Sequence, residues 1–127
     1  MPSRIEIDLR LATPVTRQIV DQLRMKLVAG DLAAGDALPS VRRLAIDLGV
    51  HFNTVADAYR TLADEGWLDI SHGRAAIVRE RTAPAANAET RHLFKQRLQH
   101  LVAEARAQGV SSAALARDLA AIAETLK

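Results

Sequence analysis

Apolar residues recur at three- and four-residue steps over most of the chain, which is the spacing of one face of an α-helix. The first such stretch begins at Thr13-Pro14, where a capping hydroxyl precedes a proline at the first helical position, and Gly30 ends it. This pattern predicts a first helix of about four turns. The residues predicted on its inward face are Val15, Ile19, Leu23 and Leu27.

Residues 5–9 follow a different period. Apolar Ile5, Ile7 and Leu9 alternate with acidic residues, and alternation at period two is typical of a half-buried strand. The pattern therefore predicts a short strand that turns these three side chains inward. A frayed N-terminal tail is the alternative.

Two short helices are predicted next, with a tight connection between them. Ser40 can cap the first one, and Gly49 can adopt the positive φ that ends it. Helical spacing then resumes almost at once and continues to Glu65-Gly66. Two helices joined by so short a glycine-containing turn predict a helix-turn-helix. Their predicted inward faces are Val41, Leu44, Ala45 and Leu48 in one helix, and Val55, Ala58, Tyr59 and Leu62 in the other.

A small hairpin and a helical tail complete the predicted architecture. Residues 67–70 and 75–78 are predicted as strands around a turn at 71–74, which makes a candidate wing. Residues 81–88 have the composition of a linker. Beyond them, helical spacing predicts one helix that ends at Gly109 and a second that begins at Ser111. We therefore predict a mainly α fold with a small β wing: a winged helix-turn-helix domain at 1–80, a linker at 81–88 and a two-helix tail at 89–127.

Composition narrows the possible functions. A chain of 127 residues is long enough for one sizeable core. The absence of cysteine excludes a disulfide scaffold, a thiolate-bound metal and a thiol nucleophile, and it fits the reducing cytoplasm. No apolar run approaches the roughly 18 residues of a membrane span, and the first residues lack the layout of a secretion signal. We therefore expect a cytoplasmic protein without a membrane partner.

Net charge is less informative than the position of individual cations. The chain carries 17 basic and 15 acidic residues, and up to Glu80 there are 10 basic and 11 acidic ones. A strong nucleic-acid binder often has a basic stripe. Any DNA-binding prediction must therefore depend on where particular cations lie.

The turn before the third helix carries the first candidate chemistry. A recognition helix presents its first turn to base edges in the major groove, and here that turn contains His51, Phe52, Asn53 and Thr54. Asn can bridge adenine, Thr can bind phosphate or touch a thymine methyl group, and His can donate to a phosphate or guanine. The alternative is that Asn53 and Thr54 merely cap the helix.

Cations before and after this helix could contact the DNA backbone and the minor groove. Arg42 and Arg43 lie in the first turn of the preceding helix, off its apolar face, where a helix-turn-helix crosses phosphates. His72 and Arg74 flank Gly73 at the predicted hairpin tip, where a long cation could enter a narrow minor groove. Solvated surface charges, especially at Arg43, and a plain turn are the alternatives.

Taken together, residues 14–78 resemble the winged helix-turn-helix of the GntR family of bacterial transcription regulators. The short two-helix tail is similar to the YtrA-like subfamily, which lacks the large effector-binding domains of other branches. The matching residues are, in order, Pro14-Val15, Gln18-Ile19, Gly30-Asp31-Leu32, Gly35-Asp36, Leu38-Pro39-Ser40, Arg42, Leu44-Ala45, Gly49-Val50, Asn53-Thr54-Val55, Ala58-Tyr59, Leu62, Glu65-Gly66-Trp67-Leu68 and Gly73.

The resemblance implies a DNA-binding regulator that acts as a homodimer, with repression as the family-level expectation. It implies that the tail dimerises, which agrees with two amphipathic helices that cannot cover their own apolar stripes. No cofactor or metal is implied, and a small-molecule effector is left open. The expected DNA-binding residues are Ser40, Arg42, Arg43, His51, Phe52, Asn53, Thr54, His72, Gly73 and Arg74. The expected dimerisation residues are Leu93, Leu98, Leu101, Val102, Leu115, Leu119, Ile122 and Leu126.

The sequence departs from the family pattern at two places. His51-Phe52 stands where the subfamily commonly has Asn-Pro and other branches have Ser-Arg, so the usual cap and an Arg contact at position 52 are missing. Ala75 occupies the position of the second wing glycine, and alanine disfavours positive φ. The first departure would change the base preference, and the second would change the path of the wing.

Two other classes of function are an enzyme and a protein-binding module. The chain has no phosphate-cradling glycine loop, no nucleophile elbow and no closely spaced histidine pair, so an enzyme is not expected. A winged helix that binds protein instead of DNA is the remaining alternative, and the acidic balance up to Glu80 supports it. Salt dependence separates the two, because phosphate neutralisation makes DNA binding fall steeply with added salt.

Overall fold

The computed structural model describes residues 5–70 and 75–126, which divide into two compact units, Met1–Arg81 and Thr82–Lys127. The described residues are mainly helical with one small antiparallel sheet, as predicted. None of their helices combines the length and the hydropathy needed to cross a membrane. The elements are α1 Val15–Ala29, α2 Val41–Leu48, α3 Phe52–Asp64, β1 Leu68–Asp69, β2 Ile77–Val78, α4 Ala88–Ala107 and α5 Ser112–Glu124.

In the first unit, α3 lies at the centre and packs against α1, α2 and β1. The predicted helical faces are confirmed, since Ile19, Leu23, Val55 and Leu62 are almost completely buried. Burial of each such side chain contributes about 1.5–3 kcal/mol to folding. The core therefore holds α3 by its inward face and leaves its opposite face to solvent.

The start of α1 differs from the prediction. Thr13 does not cap the helix; Pro14 is the N-cap residue, with φ −56° and ψ 149°, and makes no side-chain capping bond. The ψ of Pro14 lies outside the helical region, so the helix begins one residue after the proline, at Val15. Gly30 ends α1 as predicted, at φ +84°.

The predicted N-terminal strand is wrong, because residues 5–9 pair with no strand in the part of the chain that the structure describes. Instead, two glutamines on one face of α1 bind the extended segment. The Gln22 side chain bonds the backbone N–H and C=O of Glu6, and Gln18 does the same for Asp8. Ile5 and Ile7 are half-buried.

Leu9, the third residue predicted to face inward, is 84% exposed. The chain turns immediately after Asp8, where the Leu11 N–H donates to the Asp8 C=O at 3.3 Å. This turn breaks the period-two register and leaves Leu9 outside the apolar contact.

The helix-turn-helix is confirmed. Ser40 caps α2 by accepting the Arg43 N–H at 3.1 Å. Gly49 ends the helix at φ +67°, and the Val50 N–H donates to Ala45 O at 3.0 Å. The chain then enters α3 at Phe52, so the two helices have a fixed relative orientation.

The hairpin is antiparallel, with Leu68 opposite Val78 and both side chains buried. Its strands are shorter than predicted. The connector before α2 lies along the outer edge of β2, where the Gly35 N–H donates to Val78 O and the Val78 N–H to Asp36 O, each at 2.8 Å. The turn-rich composition of this connector concealed its pairing.

In the second unit, α4 and α5 are capped by Asn87 and Ser111 and joined through Gly109 at φ +96°. α4 begins at Ala88, which is the last residue of the predicted linker. The two helices do not pack along their lengths. No residue of α4 or α5 is buried, and their apolar stripes are half-buried or exposed.

Candidate nucleic-acid interface

The N-terminal tip of α3 projects from the first unit. His51, Phe52 and Asn53 are exposed, and Thr54 is half-buried. The next residue, Val55, is completely buried and anchors the helix in the core. The first turn of α3 is therefore held on a rigid support with its side chains accessible, as base contact requires.

His51 caps α3, although the capping residue that is usual in the family pattern is missing at this position. Its imidazole Nδ1 accepts the backbone N–H of Asn53 at 3.1 Å. Because a ring nitrogen that accepts a hydrogen bond carries no hydrogen, the hydrogen of the neutral ring is on Nε2. His51 thus satisfies one of the unpaired N–H groups of α3 and keeps a second ring nitrogen as a donor.

Asn53 and Thr54 are not the caps of α3. In the part of the chain that the structure describes, neither side chain forms a hydrogen bond. The alternative that these two residues cap α3 is therefore wrong, because the imidazole of His51 caps the helix instead. The Asn53 amide keeps its donor and its acceptor for a partner, which is the pattern that pairs with adenine.

The two arginines of α2 differ in their charge environment. Both are exposed. Arg43 pairs with Asp47 one helical turn later, with Nε and Oδ1 3.3 Å apart. Across residues 5–70 and 75–126, Arg42 forms no ion pair. Arg42 is therefore the more available cation.

A cleft of about 420 Å³ lies between the start of α2, α3 and the hairpin. It is lined by the start of α2, including Ser40 and Arg42, by Ala56 of α3 and by Ala75 at the base of the hairpin. The concave face thus joins the two helices of the motif to the hairpin. His72, Gly73 and Arg74 lie outside the described residues, so their role as the wing tip stays a prediction.

Contacts between distant residues fix α3 against the rest of the first unit. The buried Tyr59 donates its hydroxyl to Pro39 O at 2.7 Å, and burial raises the pKa of this phenol well above its ordinary value. At the C-terminal end of α3, Arg24 makes two bonds to the Glu65 carboxylate, at 2.6 and 3.0 Å. These bonds lower the pKa of Glu65 and raise that of Arg24.

Arg81 closes the same end of the helix. Its Nε donates to Glu65 O at 2.8 Å, and its guanidinium lies 4.5 Å from the centre of the Trp67 ring. The sequence analysis missed this contact, together with those of Tyr59 and Arg24. Arg24 and Glu65 are 41 positions apart, so no local pattern could have paired them.

A helix-turn-helix with an exposed second helix, completed by an antiparallel hairpin, defines the winged helix-turn-helix class. The profile described as "Bacterial regulatory proteins, gntR family" matches residues 15–78. The chain belongs to the gntR family of bacterial regulatory proteins, and it is a DNA-binding transcription regulator, not an enzyme.

Similar proteins support the same assignment. The HTH-type transcriptional repressor YtrA of Bacillus subtilis is 34% identical over 84% of this chain and 82% of its own length. The structure of YtrA from Sulfolobus acidocaldarius, a GntR-family transcription factor, is 36% identical with a TM-score of 0.62, covering 80% of this chain and 99% of that one.

A third relative shows the fold alone. The structure of a transcriptional antiterminator from Listeria monocytogenes EGD-e covers 100% of this chain and 96% of its own, with a TM-score of 0.73 at 20% identity. The resemblance to the YtrA-like subfamily is confirmed by the two YtrA relatives.

Proposed function

We propose that this protein is a homodimeric repressor that binds a near-palindromic operator, with the tip of α3 in the major groove and the hairpin in the minor groove. The observation that carries the proposal is the accessible first turn of α3, in which the side chains of Asn53 and Thr54 have no hydrogen-bond partner within the described residues. A helix tip with free donors and acceptors is suited to base edges.

Each residue of the tip has a proposed role. Asn53 pairs with an adenine through its amide, and Thr54 contacts a phosphate or a thymine methyl group. His51 donates from Nε2 to a phosphate or a guanine. The positive end of the α3 dipole favours the same phosphates.

The start of α2 is proposed to contact the DNA backbone. Arg42 neutralises a phosphate at the edge of the cleft, where Ser40 also lies. Arg43 follows Arg42 in the same exposed turn of α2. Asp47 already compensates the charge of Arg43. Arg43 therefore contributes less to DNA binding than Arg42. His72, Gly73 and Arg74 are proposed to reach the minor groove, on the basis of the sequence.

The tail is proposed to form the dimer. Phe94, Leu98, Leu101 and Ala105 follow one another at steps of four, three and four residues, which is the spacing of a helix seam that packs against a partner. Phe94, which sequence reasoning missed, is 57% exposed. The remaining proposed interface residues are Leu93, Val102, Leu115, Leu119, Ile122 and Leu126.

Dimerisation sets the form of the operator. A twofold dimer presents two copies of α3, and major-groove half-sites lie one helical turn, about 34 Å, or a multiple of it apart. Twofold protein symmetry is matched by an inverted repeat in the DNA. Repression is supported by the B. subtilis relative, which is a repressor.

Selection of bound fragments from random duplex DNA by the full chain tests the proposal. We expect enrichment of an inverted repeat with half-sites about 10 base pairs, or a multiple, apart. Affinity for the selected duplex should fall steeply between 50 and 200 mM salt, on the order of a hundredfold or more. Failure to enrich any duplex would favour the protein-binding alternative.

A further inference from the structure

Phe52 is the first residue of α3, and about half of its side chain (51%) is exposed. Its ring is not part of the hydrophobic core or of the partly buried residues around it. The structure describes all of α3, and Phe52 is the one large apolar side chain that this helix leaves exposed. An exposed aromatic ring gains free energy when an apolar group covers it. Phe52 at the tip of the helix is therefore suited to an apolar partner.

The ring of Phe52 is held before any DNA binds. It stacks on the imidazole of His51, with ring centres 4.9 Å apart and planes inclined by 26°. The imidazole is itself held by the Asn53 N–H at its Nδ1. The cap of α3 therefore restricts two rings, and less rotational entropy is lost when the second ring meets a ligand.

The chemistry of the phenyl ring narrows the possible ligand. The ring has neither a hydrogen-bond donor nor an acceptor, so it cannot read the polar edge of a base. In the major groove, the apolar group that a base presents is the C5-methyl group of thymine. A phenyl ring at the tip of a recognition helix is therefore suited to that methyl group and not to the polar edges of the bases.

We propose that Phe52 contacts the C5-methyl group of one thymine in each half-site and makes the protein select thymine at that position. This inference rests on the proposed function, since it requires the tip of α3 to lie in the major groove. His51 is a positioning residue in this contact, because it orients the ring of Phe52.

Replacement of thymine by uracil in the selected operator isolates the methyl group, since base pairing is unchanged. Each thymine of a half-site is replaced in turn, and the affinity of the full chain is measured at fixed salt. We expect one position at which the replacement weakens binding about fourfold in one half-site and about fifteenfold in both, as loss of one apolar carbon contact predicts.

The variant Phe52→Ala should bind the thymine and uracil duplexes equally at that position. Its thermal unfolding should resemble that of the parent protein, because the ring is outside the core. Met25→Ala is the matched control: Met25 is an apolar side chain of α1 that is 69% exposed, and its removal should leave the thymine preference unchanged.

Two results would overturn the proposal. One is an operator in which no thymine is sensitive to loss of its methyl group. The other is a preference that persists in Phe52→Ala; if it disappears in Thr54→Ser, the methyl group of Thr54 makes the contact. Failure of the proposed function is recognised earlier, because no duplex would then be enriched and no uracil comparison could begin.

Discussion

His51 and Asn53 are joined by a hydrogen bond from the Asn53 backbone N–H to the imidazole Nδ1, at 3.1 Å. The bond closes the first turn of α3 and fixes the hydrogen of the neutral ring on Nε2. One side chain therefore stabilises α3 and presents a donor beside it. Substitutions at position 51 can separate these two effects.

The variant His51→Ala should lower the free energy of unfolding by about 1 kcal/mol, the usual cost of losing an N-cap. His51→Ser restores a capping oxygen but has no equivalent of the Nε2 donor. We expect it to recover the stability and not the DNA affinity. Chemical denaturation and operator titrations provide the two measurements, and full recovery of affinity in the serine variant would exclude a role for Nε2.

Arg42 and Arg43 form a matched pair of exposed arginines in one turn of α2. Arg42→Ala should weaken operator binding and reduce the slope of log affinity against log salt by about one, because one phosphate contact is lost. Arg43→Ala should change the slope less, since Asp47 already pairs with that guanidinium. Equal slopes for the parent and Arg42→Ala would show that Arg42 does not contact phosphate.

A charge on the apolar stripe of α4 should prevent dimer formation. Leu101 is 60% exposed in the single chain, and in Leu101→Asp a carboxylate would be buried at the proposed interface without a partner. We expect monomers in sedimentation experiments and sharply weaker operator binding. Leu119→Asp tests α5 in the same way.

Ala103→Asp is the control for the tail, because Ala103 is exposed on the opposite side of α4 from Leu101. This variant should remain dimeric and bind the operator normally. Intact dimers in Leu101→Asp, or monomers in Ala103→Asp, would contradict the proposed seam.

Tyr59 makes stability sensitive to alkaline pH. Burial raises the pKa of its hydroxyl in the folded state above the ordinary value of about 10. The folded state therefore binds the proton more tightly than the unfolded state, and the stability that this difference provides is present below pH 10. Above pH 10 it should decline by up to about 1.4 kcal/mol per pH unit.

The variant Tyr59→Phe lacks this titration. At pH 7 it should be about 1 kcal/mol less stable than the parent, because the hydroxyl bond to Pro39 O is lost. The difference should narrow as the pH rises above 10. Denaturation curves of the two proteins between pH 7 and 11 measure it, and a constant difference would show that Tyr59 does not titrate on unfolding.

Much of the fold was predictable because its determinants are local. Ser40 and Ser111 cap helices that begin at the next residue, and Gly30 and Gly49 end helices at positive φ. Each of these features depends on hydrogen bonds between residues a few positions apart. The apolar faces of α1, α2 and α3 were predictable for a related reason, since helix geometry alone brings their residues together.

The sequence indicates which residues lie at the start of α3 but not the contacts between them. The sequence predicts His51 at the start of α3, and its bond to the Asn53 N–H joins residues only two positions apart. The capping role of His51 was not predicted, because histidine is not among the residues that usually cap helices. Its stacking on Phe52 depends on the rotamers of both rings, which no sequence period encodes.

The sequence by itself determined where most helices begin and end, although not the start of α1, and which helical faces are apolar, because neighbours along the chain settle these properties. The tertiary structure alone decided that the Gln18 and Gln22 amides hold the N-terminal segment, and that Arg24 binds Glu65 across 41 positions. Such contacts form only when folding brings distant groups within hydrogen-bond distance, and many alternative pairings have the same chemistry.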